Sequence, residues 1–335
     1  MKRIAARVAL VGMLAFLAAS VARAEEAKIP EEPKDEIMGE YVGKCRVGDE
    51  KSDAEAKVIA EGDGNYRAVL LRQTTGDNAK QPRIELTGKA EGTRVALAGK
   101  AGDTEWKGTI EGGERLVAES KDGEFSLKFT VRKPPTLGAK PPPGAVVLLA
   151  FEEGKAPSLE AWENQNWVPL PDGSVMVKGG NSHTKQSFGD VRLHVEFRAP
   201  FMPKARGQGR GNSGVYLQSR YEVQVLDSFG LEPRDNECGG IYSVGPAKAY
   251  AALPPGQWQT YDITFRAPEV KDGKMTRPAV MTVLHNGLKV HEDVKVDHTT
   301  TAGDGGPPME KAPVMLQDHG NPVRYRNIWA LPLGD

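Results

Sequence analysis

A chain of 335 residues, 39% hydrophobic and 27% charged, is long enough to bury two separate cores and polar enough to stay in water. Its 44 Lys and Arg nearly cancel its 45 Asp and Glu, and no long basic run or nucleic-acid motif breaks that balance, so DNA and RNA are not expected as partners. The two cysteines, Cys45 and Cys238, are far apart and lack zinc-type spacing, which predicts two packed thiols and no disulfide framework.

Residues 1–24 have the pattern of a secretory signal peptide. Lys2, Arg3 and Arg7 lead into an apolar run over residues 8–19, and Ala22-Arg23-Ala24 supplies an A-x-A cleavage site. The run is short for a membrane span, so cleavage and export to the periplasm or beyond are expected, leaving no span in the mature chain. Residues 25–36 are acidic, contain Pro and show no periodicity, as in a mobile leader.

Residues 37–133 read as a small antiparallel β domain. "YRAVLLRQ", "RIELTGKA", "TRVALAGK", "EWKGTI" and "EFSLKFTVR" are short alternating segments separated by Gly, Asp and Asn turns. Their polar positions form no catalytic constellation, which favours a binding or spacer role. The Pro-rich residues 134–145, "PPTLGAKPPPGA", suit an extended linker open to proteolysis near Lys140.

Residues 146–335 are again strand-rich. "VRLHVEFRAP", "QTYDITFRAP" and "AVMTVLHNGLKVHEDVKV" alternate at period two, and His285-Asn286-Gly287 carries the Asn-Gly signal of a tight hairpin. Many strands in about 190 residues with almost no amphipathic helix point to a double-sheet sandwich of jelly-roll type. Residues 211–230, "GNSGVYLQSRYEVQVLDSFG", pose a question about that sandwich. Alternation turns Val215, Leu217, Tyr221, Val223 and Val225 inward, leaving Tyr216, Gln218, Glu222 and Gln224 as a polar face that a core does not need. A carboxylate and an amide aimed at one space can hold a sugar or a divalent metal ion, or supply a general base.

Elsewhere the structural explanations are cheaper. His194, Glu196 and Arg198 share a strand face and fit a cross-strand charge ladder. Asp227 ends a strand, where it would cap a turn. Trp258 would pack at a strand start, His285 and His291 would flank an exposed hairpin, and His183 and His298 have no evident partner.

"FGDVRLHVEFRAP", "GRGNSGVYLQSRYEVQVLDSFG", "NECGGIYSV", "GQWQTYDITFRAP", "TVLHNGLKVHEDV" and "LQDHGNPVRYRNIW" occur in the order found in the 3-keto-disaccharide hydrolase domain family, which this region resembles from about residue 146 to 332. The resemblance implies an all-β, concanavalin A-like jelly-roll sandwich, here preceded by the small β domain, and an enzyme acting on glycosides already oxidised at C3. It adds His319, in the Asp-His-Gly block, and Glu196, where the block has its carboxylate, to Glu222 as expected catalytic residues, with Asn212, Tyr216, Gln218, Gln224 and Arg326 expected around the substrate. The opening "FEEGKAPSLEAWENQNW" is shorter than the family's usual start.

A 3-keto group acidifies the C2 hydrogen. A base can therefore remove it, the enolate expels the C1 substituent, and water addition completes hydrolysis. This chemistry needs one base and one acid rather than the paired carboxylates of ordinary glycosidases. The same fold would equally serve a non-catalytic, lectin-like carbohydrate-binding module, or a scaffold of the cell envelope.

Overall fold

The computed structural model describes residues 35–72 and 83–334; the signal peptide and most of the acidic leader lie outside them. Among the described residues every regular element longer than the single 3-10 turn Gly207–Gly209 is a strand, and antiparallel pairing prevails throughout. No helix among the described residues is long and apolar enough to cross a membrane.

The N-terminal region is a closed eight-stranded barrel. Its strands are β1 (Gly39–Val47), β2 (Glu50–Gly62), β3 (Asn65–Arg72), β4 (Arg83–Glu91), β5 (Arg94–Ala101), β6 (Thr104–Glu111), β7 (Arg115–Ser120) and β8 (Gly123–Thr130). Each pairs with the next, and β8 closes onto β1. Alternation sends Leu86, Val95, Leu97, Ile110, Leu116 and Leu127 into one buried cluster, as expected of a barrel just wide enough to be filled by side chains. Tight turns such as Gly48-Asp49, with Gly48 at φ 59°, allow strands this short to reverse. Five of the eight strands are the alternating segments expected from the sequence; β1, β2 and β7 are additional, with Lys, Glu and Ser breaking up their apolar positions.

The remaining strands form two sheets around a second core. The larger sheet has the order β10 (Val168–Pro169), β11 (Val175–Met176), β22 (Arg324–Pro332), β13 (Val191–Arg198), β16 (Gln259–Arg266), β19 (Ala279–His285) and β20 (Leu288–Val296), with β9 (Val146–Leu149) also on β22. The smaller has the order β12 (Ser182–Phe188), β21 (Ala312–Leu316), β14 (Ser213–Leu217) and β15 (Tyr221–Val225). A short hairpin, β17 (Glu269–Lys271) and β18 (Lys274–Arg277), stands apart. Leu193, Val195 and Phe197 of the larger sheet share one core with Val215, Leu217, Val223 and Val225 of the smaller. Tyr side chains bridge the layers: Tyr261 Oη donates to the Gln224 carbonyl at 2.5 Å, and Tyr325 Oη lies 2.7 Å from Ser213 Oγ. Each sheet therefore turns a second face away from the shared core. Asn286-Gly287 forms the expected turn between β19 and β20.

The Pro-rich segment is not a free linker but a strap across the outer face of the larger sheet. Gly138 N donates to Glu196 Oε1 at 2.5 Å, Thr136 Oγ1 to Asp262 Oδ2 at 2.6 Å, and the Ala139 carbonyl accepts from Asn327 Nδ2 and Trp329 Nε1 at 3.0 and 3.2 Å. Pro135 packs on Gly287, where a Cβ would not fit. Cys45 and Cys238 are both free and buried, and burial pushes the Cys238 thiol up to about 12.

Candidate active site

The β14–β15 hairpin pairs Gly214 with Gln224 and Tyr216 with Glu222. Asn212, Gly214 and Tyr216 therefore line up beside Glu222 and Gln224 on the outer face of the smaller sheet. Gly214 has no positive φ to explain it. Its role is space: a Cβ there would stand 2.5 Å from Glu222 Oε1 and 2.6 Å from the Tyr216 ring.

Glu222 is only 2% exposed, and no cation among the described residues pairs with it. Burial raises its pKa to about 7, and the hydrogen bond from the Tyr216 hydroxyl only partly offsets this. Burial together with the neighbouring Glu222 charge also raises the pKa of that phenol. The Tyr216 hydroxyl in turn accepts from Gln317 Nε2 at 3.1 Å. The result is a carboxyl group balanced between its two protonation states near neutrality, as a general base requires.

Next to it the amides are held in one orientation. Gln208 Oε1 accepts from Asn212 Nδ2 and from Gln224 Nε2, both at 3.1 Å, and the Asn236 carbonyl accepts from Gln208 Nε2 at 2.8 Å and Gln224 Nε2 at 3.4 Å. With both amide nitrogens engaged by acceptors, Asn212 Oδ1 and Gln224 Oε1 remain buried and without a donor among the described residues. A buried acceptor without a donor costs about 1–3 kcal/mol, so two of them mark a place where hydroxyl donors would bind with gain. Arg210, whose Nε pairs with Asp227 Oδ2 at 2.6 Å, leaves its Nη2 unpartnered as well.

His319 is exposed on the loop after β21, and both ends of that loop are tied to the site strand. Gln317 N donates to the Gly214 carbonyl at 3.0 Å, and Asn321 Oδ1 accepts from Asn212 N at 2.8 Å. His319 thus lies on a loop that borders the strand carrying Asn212 and Gly214.

Other expectations need correction. The strand ends at Leu217, so Gln218 lies in the turn at φ 51°, its Nε2 donating to the Glu310 carbonyl at 2.9 Å, and it does not join the polar face. Glu196 and Arg326 lie on the outer face of the other sheet, across the core from Glu222. There Glu196 Oε2 accepts from Arg326 Nε at 2.7 Å, and Oε1 accepts from Asn327 Nδ2 at 2.8 Å and from the strap. Buried as it is, Glu196 is held below its ordinary value by His194, Asn327, Gly138 and Arg326, which outweigh the cost of burial. His194 Nδ1 lies 2.9 Å from Asp262 Oδ1, completing the charge ladder. Arg326 also covers Phe151 and Trp258. His285 and His291 are buried, not exposed, because the large sheet and the 239 loop pack over them; burial lowers His285 to about 3. His183 and His298 do have partners, Asp304 and Asp297. Asp227 caps Phe229 N as expected, and also pairs with Arg210.

Gln208, Gly214, Asn236 and Gln317 were not singled out from sequence. Gly214 carried the one available signal, a glycine in the middle of an otherwise regular strand, which often marks a close approach. Around Glu222 the oxygen donors are one carboxylate and two neutral amides. Among the described residues no group of three or more His, Cys, Asp or Glu side chains is arranged to hold a metal ion.

Residues 144–331 match the family model described as the 3-keto-alpha-glucoside-1,2-lyase-like domain. A crystal structure of a candidate glycosyl hydrolase from Parabacteroides distasonis ATCC 8503 is similar with 32% identity and a TM-score of 0.50, over 57% of this chain and 85% of that one. A second candidate glycosyl hydrolase from the same organism is 20% identical over 56% of this chain and 99% of its own, with a TM-score of 0.40. No curated protein matches the chain. With the blocks from "FGDVRLHVEFRAP" to "LQDHGNPVRYRNIW" all inside the matched region, the chain belongs to the family of 3-keto-alpha-glucoside-1,2-lyase-like domains.

Proposed function

We propose that this protein is a carbohydrate-active enzyme that cleaves 3-keto-glycosides by elimination across C1 and C2, followed by hydration. The observation that carries this reading is the buried Glu222, raised to about 7 and set beside two fixed, unpartnered amide oxygens. Family membership supports the substrate class, and the two packed antiparallel sheets support a concanavalin A-like jelly roll.

In this mechanism Asn212 Oδ1 and Gln224 Oε1 accept hydrogen bonds from sugar hydroxyls and place C2 against Glu222. The Glu222 carboxylate removes the C2 proton, and the C–H electron pair passes into the C2–C3 enolate. The enolate then re-forms the ketone as the C1–O bond breaks, giving a C1=C2 double bond conjugated to C3. The departing oxygen leaves with its bonding pair and takes a proton from His319. Water adds at C1 and returns a proton at C2, so no oxidant or reductant is consumed. Tyr216 steadies the carboxyl through its hydroxyl. Export of the mature chain would place this reaction outside the cytoplasm.

The test offers purified protein both anomers of p-nitrophenyl 3-keto-glucoside and the corresponding unoxidised glucosides. Release of phenol from a keto substrate alone, slowed by deuterium at C2, is the expected result. Equal release from unoxidised glucosides would reject elimination, and binding without release would favour the lectin-like role.

A further inference from the structure

The barrel lies outside the family match, yet both loops that orient the amide pair rest on it. The 227–252 loop carries Asn236, whose carbonyl takes Gln208 Nε2 and Gln224 Nε2. At one end of this loop Phe229 is buried in the barrel's own core cluster, with Lys57 Nζ 5.6 Å from its ring. Gly230 then passes so close to Ile59 that a Cβ would meet it at 2.5 Å, and its carbonyl accepts from Arg83 Nη2 at 3.0 Å. At the other end Tyr250 joins the same barrel cluster and accepts from Arg83 Nη1 at 3.0 Å, while the Ala251 carbonyl accepts from Arg132 Nη2 at 3.1 Å. Arg132 is itself fixed by the buried Glu40–Lys57 pair.

The second loop, between β13 and β14, carries Gln208. Phe201 packs against the barrel cluster, Arg206 Nη2 donates to the Glu61 carbonyl at 3.1 Å, and Lys204 pairs with Asp63 at 2.6 Å. Gln208 and Asn236 thus meet each other over the site while their loops are gripped from the same side. The amides they hold are useful only if their nitrogens stay engaged, because a freed amide would rotate and satisfy its oxygen internally.

We propose that the barrel is a positioning element for the candidate site, with Arg83, Phe229 and Arg132 acting through Asn236 and Gln208 to keep the Asn212 and Gln224 oxygens open to substrate. This deepens the function proposed above and rests on it for its kinetic consequence, but not for its structural one.

The experiment compares wild type with Arg83→Ala and Tyr250→Phe, neither of which touches the polar face. Hydrogen exchange across residues 231–249 should speed up about tenfold in both variants, while β13 and β16 stay protected. On a 3-keto-glycoside, KM should rise about tenfold with kcat within twofold to threefold, since Glu222 stays paired with Tyr216 across the β14–β15 hairpin even where the loop's own bonds to that strand, from Gly239, Gly240 and Tyr242, loosen. Unchanged exchange in this loop would overturn the proposal, and so would equal loosening of barrel and sandwich. If wild type turns over no keto-glycoside, the functional reading fails and the exchange result still decides whether the barrel holds the loop.

Discussion

The carboxylate of Glu222 occupies the space that a Cβ on Gly214 would fill. The two residues are on paired strands two residues out of register, Gly214 opposite Gln224 and Tyr216 opposite Glu222, so the missing side chain lets the acid lean diagonally toward Gly214. Gly214→Ala is therefore expected to push Glu222 or the Tyr216 ring aside. Overpacking of this kind costs about 1–3 kcal/mol, a loss that thermal or urea unfolding would register. If the displaced carboxyl is the base, turnover should fall on the order of 100-fold, far beyond what that loss of stability would cause in a protein still folded. A variant with wild-type turnover would remove Glu222 from the mechanism as placed here.

Burial of Glu222 also has a pH signature. Its folded-state value of about 7 lies above the ordinary carboxyl range, so the folded protein holds this proton more tightly than the unfolded chain. Below about pH 4.5 the group is neutral in both states and carries no penalty. As pH rises from there to about 7 the penalty for the buried charge accumulates, and above that it is constant, at about 3 kcal/mol. Glu222→Gln removes it. The variant should match wild type near pH 4 and exceed it by up to that amount at pH 8, which denaturant unfolding at the two pH values would measure. Equal stability at both would mean the carboxyl is not desolvated. In activity, wild-type kcat/KM should rise through about pH 7, and that limb should vanish with the base.

Much of this was legible in the sequence, for reasons the residues make plain. Strict alternation in Tyr221–Val225 and in the 191–198 and 259–266 strands reflects one face packed against a core and one not, and this survives in the primary structure. The polar face was readable for the same reason. What alternation leaves open is which outer faces meet. Glu196 and Glu222 obey the same pattern on strands of opposite sheets, so only the sheet order separates them. Gln208 and Asn236 sit in irregular loops, and their roles depend on distant chain segments brought together by the barrel. The strap was misread because proline spacing describes an extended backbone well, but not whether a sheet face waits beneath it.

His319 offers a clean separation of chemistry from stability. It is exposed on a loop whose anchors are Gln317 and Asn321, so His319→Ala should change unfolding free energy by less than about 0.5 kcal/mol. If it donates the proton to the leaving oxygen as proposed, its loss should reduce kcat on poor leaving groups by on the order of 100-fold and spare p-nitrophenol, which needs little protonation. A uniform effect on both leaving groups would assign the proton transfer elsewhere.

The last prediction concerns Glu196, for which the charge ladder and the strap supply a structural role. Its carboxylate faces Arg326 Nε at 2.7 Å, Asn327 Nδ2 at 2.8 Å and Gly138 N at 2.5 Å, with His194 Nε2 3.6 Å away. Removing one partner of a buried charge network leaves the others unpaired, so Glu196→Ala should cost about 3–5 kcal/mol, whereas Glu196→Gln keeps an acceptor for Gly138 N and should cost less. The strap reports the difference directly. In wild type, subtilisin should spare residues 134–140 because their backbone is tied down through Gly138 N and the Ala139 carbonyl. In Glu196→Ala the first tie is gone and its counter-charges repel one another, so cleavage there should speed up at least tenfold, with the gel fragments marking the barrel and the sandwich. Turnover by Glu196→Gln should stay within a few-fold of wild type, since this face lies across the core from Glu222. Loss of turnover on the scale of Glu222→Gln, with the strap still resistant, would instead return Glu196 to the catalytic machinery and place the reaction on the larger sheet.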